Sequence, residues 1–85
     1  MLVATMSVNN RIADDVNFAK HVSSALGKFR SKNWGEMENE DIKANDWADK
    51  NSGRILAAYG SGEDKIWIIR EADNSATTIL FPSEY

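Results

Sequence analysis

The chain has 85 residues, 42% of them hydrophobic, no cysteine and a formal net charge of −3. That length makes one domain spanning residues 1–85 and limits how much surface folding can bury. The missing cysteines exclude disulfides, thiolate metal sites and cysteine nucleophiles, and the negative charge argues against general polyanion binding and hence against direct nucleic-acid contact. Leu2-Val3-Ala4-Thr5-Met6 follows Met1 with no basic leader and no long apolar run, so neither a signal peptide nor a membrane span is expected, and a cytoplasmic location is the default.

Residues 2–6 are compatible with a short edge strand, and Asn9, Asn10 and Arg11 then break the pattern. Asp14-Asp15 opens the first predicted helix, where a carboxylate caps free N–H groups and suits the positive dipole end. Phe18, Val22, Ala25, Leu26 and Phe29 recur in steps of three and four and form one apolar stripe. Asn33-Trp34-Gly35 is expected to end this helix, with Gly35 as a left-handed C-cap. A second helix is predicted from Asn39 to Lys50, with Met37 and Ile42 as a hydrophobic staple and Ile42, Ala44, Trp47 and Ala48 as its buried side. Asn51-Ser52-Gly53 closes it.

Three short runs rich in β-branched and aromatic residues follow: Ile55–Tyr59, Ile66–Ile69 and Thr77–Phe81. Gly60–Asp64 and Ala72–Ser75 separate them as turns, which reads as an antiparallel β-meander. The predicted fold class is therefore α+β: two N-terminal helices packed on a three-stranded antiparallel meander, with room for an N-terminal edge strand. Ile66–Ile69 and Ile79–Phe81 do not alternate apolar with polar residues, so apolar groups point to both sides of the sheet. One side belongs to the helices. The other needs the N-terminal segment, a second subunit or a target to cover it.

Chemistry-bearing residues are sparse. His21 stands alone, which rules against a zinc site and fits a structural or solvated histidine better than a catalytic one. Glu36, Glu38, Glu40 and Asp41 are spaced like the start of a calcium loop. That reading fails because the sixth position is Asp41 rather than Gly and the twelfth is Trp47 rather than Glu. Gly60-Ser61-Gly62 lacks the following helix of a phosphate loop. No catalytic, cofactor or metal site is expected, and the chain reads as a non-enzyme.

Charge is segregated: Lys20, Lys28, Arg30 and Lys32 lie in one block, and Glu36, Glu38, Glu40, Asp41, Asp46 and Asp49 in the next. These blocks either pair with each other across packed helices or dock on another surface. With Trp34 beside them and Trp67 on the surplus sheet face, the six acids are the candidate partner-binding residues.

Four stretches taken together, Asp15–Phe18 with the helix after it, Asn33-Trp34-Gly35-Glu36, Ala44-Asn45-Asp46 and Ile66–Tyr85, resemble a family of small bacterial "plasmid-related" proteins of mobile elements. Some relatives carry the label of a type I restriction modification subunit. A methyltransferase requires an Asn/Asp-Pro-Pro-aromatic motif and a doubly wound domain, and this chain has one proline, Pro82. The resemblance implies a setting near defence systems. The function expected is protein binding, as an inhibitor of a bacterial defence nuclease of the anti-CRISPR or anti-restriction kind. The alternative is a homodimeric structural or plasmid-maintenance accessory whose basic first helix contacts DNA.

Overall fold

A computed structural model describes all 85 residues as an α+β domain of three helices and a four-stranded mixed sheet. The elements run β1 (Leu2–Ala4), α1 (Met6–Asp14), α2 (Val16–Arg30), α3 (Asn39–Asn51), β2 (Ile55–Tyr59), β3 (Ile66–Arg70) and β4 (Thr77–Leu80). The sheet order is β1-β4-β3-β2; the meander is antiparallel, and β1 joins β4 in parallel.

Two expectations about the architecture change. The Asn9-Asn10-Arg11 stretch is not a break but the middle of α1. Thr5 caps that helix by accepting from the Val8 amide at 3.3 Å, and Val8 is fully buried. Arg11 is held by Asp64 and lies over the Phe18 ring, 4.4 Å from its centroid, so its polar character serves a tertiary clamp. The three-stranded antiparallel meander is a four-stranded mixed sheet, because the edge strand allowed for at residues 2–6 forms over Leu2–Ala4 and pairs in parallel along β4, which is thereby an interior strand.

Helix α2 forms as its stripe predicts. Asp15 Oδ1 accepts from the amides of Asn17 (2.9 Å) and Phe18 (3.1 Å). The helix stops earlier than expected. Ser31 is its C-cap, Lys32 takes the left-handed conformation (φ 65°), and the Asn33 amide reaches back to the Lys28 carbonyl at 2.9 Å. Gly35 has a different task. Its φ is 80°, and it lies so close to β2 that a Cβ would sit 1.9 Å from the Ala58 carbonyl oxygen. Only glycine permits this approach.

The first face of the sheet presents Ile55, Ala57, Tyr59, Ile66, Ile68 and Ile79 to Val8, Phe18, Val22, Ala25, Phe29, Trp34 and Ala48. On the second face lie Leu56, Ala58, Trp67, Ile69, Thr78 and Leu80. No helix of the main core covers this side. Instead the chain past β4 makes a 3-10 turn (Pro82–Glu84), and Tyr85 stacks edge-on against Trp67 with ring centroids 5.4 Å apart. The N-terminal segment pairs with β4 edge-on rather than lying across that face.

Helix α3 turns a different side inward than predicted. Asn45 and Ala48 are buried and Ile42 half-buried, whereas Ala44 is exposed and Trp47 is 64% exposed. At 100° per residue, Trp47 stands about 160° around the helix from Asn45. Asn45 is drawn in by the sheet edge: its Nδ2 donates to the Leu56 carbonyl (2.9 Å), and its Oδ1 accepts from the Leu56 amide (3.4 Å). One residue pair further, the Ala58 amide donates to the Trp34 carbonyl (3.2 Å) and its carbonyl accepts from the Glu36 amide (2.9 Å). The outer edge of β2 is thus sealed without another strand. Asn45→Ala should leave both Leu56 groups without these partners. The expected loss is about 1–3 kcal/mol in a urea unfolding curve.

Candidate protein-binding surface

Seven of the eight residues singled out from the sequence separate into two groups, and the eighth, Trp67, stands apart on the second sheet face. Trp34 is buried; its Nε1 donates to Asp46 Oδ1 at 2.9 Å, and its ring meets Phe29 edge-on at 5.3 Å. Glu36 accepts from the Gly60 amide through Oε2 at 3.2 Å. Asp49 joins three elements, bonding Lys32 at the end of α2 and Arg70 on β3 (3.0 Å). Trp34, Glu36, Asp46 and Asp49 therefore hold the fold together.

The bond from Lys32, and then that from Arg70, keeps the Asp49 carboxyl below its ordinary pKa, while its partial burial opposes them. A carboxylate with a depressed folded pKa adds stability above its unfolded value, near 3.9, and loses it as pH falls through the folded one. Stability should therefore decline below about pH 4, and the decline should be shallower in Asp49→Asn. Denaturant midpoints measured from pH 2 to 7 test this.

Glu38, Glu40 and Asp41 form the second group. All three are exposed, and none takes part in an ion pair. They sit at the cap and first turn of α3, where the helix dipole favours negative charge. Next to them runs a groove of about 480 Å³ lined by Met37, Asp41, Ala44, Asn45, Arg54 and Leu56. Arg54 connects it to the second sheet face. Its Nη1 donates to the Tyr85 hydroxyl at 2.9 Å, and its Nε pairs with Glu71 at 3.2 Å. The guanidinium also stands 5.6 Å from the Tyr85 ring centroid. The Tyr85 hydroxyl first, and Glu71 after it, raise the Arg54 pKa.

Trp67 is half-buried under Tyr85, and the exposed Trp47 indole lies beside Gly53, on a different side of α3 from the groove-lining Asn45. Trp47, Arg54, Leu56, Met37 and Tyr85 are not among the binding candidates read from the sequence, where Trp47 is expected on the buried side of its helix. The signal for Trp47 was its phase relative to Asn45 and Ala48. For Arg54 and Tyr85, 31 residues apart, there was no local signal. Aromatic residues, Met and Arg are the types enriched in protein interfaces.

A smaller polar crevice of about 170 Å³ lies between α2 and the end of β2, lined by His21, Ser24, Lys28, Glu36 and Tyr59 among others. His21 Nε2 is 3.0 Å from the Asp64 carbonyl oxygen, and the Tyr59 hydroxyl donates to the Asn33 carbonyl at 2.7 Å. Burial, and then the Glu36 charge, pushes the Tyr59 pKa up and keeps the phenol neutral. No group of three or more His, Asp or Glu converges to hold a metal ion, and no helix is long and apolar enough to cross a membrane. Comparison with protein-family models, curated proteins and solved structures finds no match.

Proposed function

We propose that this protein is a non-enzymatic binding module of a mobile element that acts in the host cytoplasm by occupying a protein surface. The target class is a bacterial defence nuclease complex, of the CRISPR or restriction kind, at a basic groove built for nucleic-acid phosphates. One observation carries this reading: a groove lined by Met37, Asp41, Arg54 and Leu56 is joined through Arg54 to the Tyr85–Trp67 pair, and beside it stand Glu38, Glu40 and Asp41, none of them ion-paired, while Trp47 is exposed elsewhere on α3. Aromatic anchors supply affinity in such contacts, and unpaired like charges steer a basic partner toward them.

The test uses purified DNA-cleaving effector complexes of both kinds, with binding and DNA cleavage measured at two salt concentrations. Binding that blocks cleavage and weakens with salt is expected. Trp47→Ala should weaken it by about 30-fold, as a hot-spot loss of roughly 2 kcal/mol predicts. The triple change Glu38→Gln, Glu40→Gln, Asp41→Asn should mainly slow association. Failure to bind or inhibit any of these complexes at micromolar concentration would overturn the proposal.

A further inference from the structure

We infer that β1 is a dimerisation edge, on which a second copy of this chain adds its own β1 in antiparallel fashion to make one eight-stranded sheet. The two outer edges of the sheet differ in kind. That of β2 is closed by Asn45 and by the Trp34–Glu36 segment. That of β1 is open. Met1 O accepts from the Thr77 amide (2.7 Å) and the Thr5 amide donates to the Ile79 carbonyl (3.0 Å), so residues 1, 3 and 5 address β4. By strand alternation Leu2 and Ala4 turn their N–H and C=O groups outward. Of these four groups only the Ala4 carbonyl meets a side chain, Asn9 Nδ2 at 3.3 Å, and a carbonyl has a second lone pair to offer.

An open row of backbone donors and acceptors is a template on which an extended strand can add. Self-pairing suits this row. A two-fold axis through Val3 sets Leu2 against Ala4 of the copy and Ala4 against its Leu2, so all outward groups of both strands are used in four hydrogen bonds. The side chains here are already exposed and apolar: Leu2 is 51%, Val3 38% and Met6 78% accessible. Beside Leu2 a groove of about 270 Å³, lined by Leu26 and Phe29 with Arg30 at its rim, opens the core toward the edge.

Charge selects the antiparallel direction. Arg30 stands at the Leu2 end of the strand. Glu84 stands at the Thr5 end, where its Oε1 accepts from the Thr5 hydroxyl at 3.0 Å. Neither belongs to an ion pair. Antiparallel addition brings the Arg30 end of each copy against the Glu84 end of the other, whereas parallel addition would set like against like. The interface uses the edge opposite the α3 groove, so its test is independent of the proposed target.

Light scattering over a concentration series on the full chain decides the matter. A mass rising from 9.5 kDa to twice that value is expected. Leu2→Pro removes an outward donor and leaves the β4 ladder intact. It should return the protein to monomer with an unchanged circular dichroism spectrum. Val3→Arg sets two cations face to face across the axis and should weaken association by about tenfold or more. Arg30→Glu should also weaken it, and Arg30→Glu with Glu84→Arg should restore it. A native protein that stays monomeric at the highest concentration, or a folded Val3→Arg variant that dimerises as well as the native chain, would overturn the inference.

Discussion

A chain cut after Ser75 should not fold. Residues 76–85 contain the whole of β4, which lies inside the sheet with β1 on one side and β3 on the other. Removing it leaves β1 with no strand to pair with and uncovers one edge of β3. Buried Ile79 and Leu80 go with it, one from each face of the sheet, as does Phe81, whose ring lies 5.7 Å from that of Phe18. The Tyr85 cover over Trp67 is lost as well. Domains of this size hold a net stability of only about 5–10 kcal/mol, and losing an interior strand exceeds it. The expected result is a circular dichroism spectrum without native strand signal and no cooperative melt. A soluble truncated chain melting at the full-length temperature would refute the interior placement of β4.

The interior position of β4 is where the sequence is least informative, and the reason is physical. Apolar periodicity and capping are local. They expose α2 through Phe18, Val22, Ala25 and Phe29, with Asp15 at its head, and they expose the three C-terminal strands through their β-branched runs. The pairing of Leu2–Ala4 with Thr77–Ile79 joins the two ends of the chain through three residues and leaves no periodic trace. Helix α1 is masked for a related reason. Val8 is its one fully buried residue, and Arg11 spends its charge on a contact with Asp64 that only the folded chain creates. The candidate surface divides in the same way. The acidic character of residues 36–49 is plain in the sequence. That Asp46 and Asp49 are consumed by Trp34, Lys32 and Arg70 depends on how α2, α3 and β3 meet. Trp47 was legible in principle, since a helix that buries Asn45 must turn Trp47 outward.

Ile68→Ala and Trp67→Ala should have opposite signatures, although the residues are adjacent. Strand alternation sends their side chains to different faces. Ile68 stands between Ala57 and Ile79 on the helix-covered face and is wholly buried. Truncating it removes buried methyl groups from a rigid layer that cannot close the space. The expected loss is about 2–5 kcal/mol, with a melting temperature lower by several degrees per kcal/mol. Trp67 lies on the second face beside Ala58 and Leu80, half-buried, with Tyr85 as its aromatic neighbour. Its removal forfeits the aromatic pair, worth about 0.5–1.5 kcal/mol beyond the area it buries, while the helix-side core stays intact. In the proposed binding role Trp67 anchors the partner, so its truncation should weaken binding to the effector complex by about 30-fold while lowering the melting temperature less than Ile68→Ala does. Melts and binding isotherms on both variants separate the two faces. A Trp67→Ala protein that unfolds beside a harmless Ile68→Ala would mean that the load-carrying core lies under Tyr85 rather than under α2.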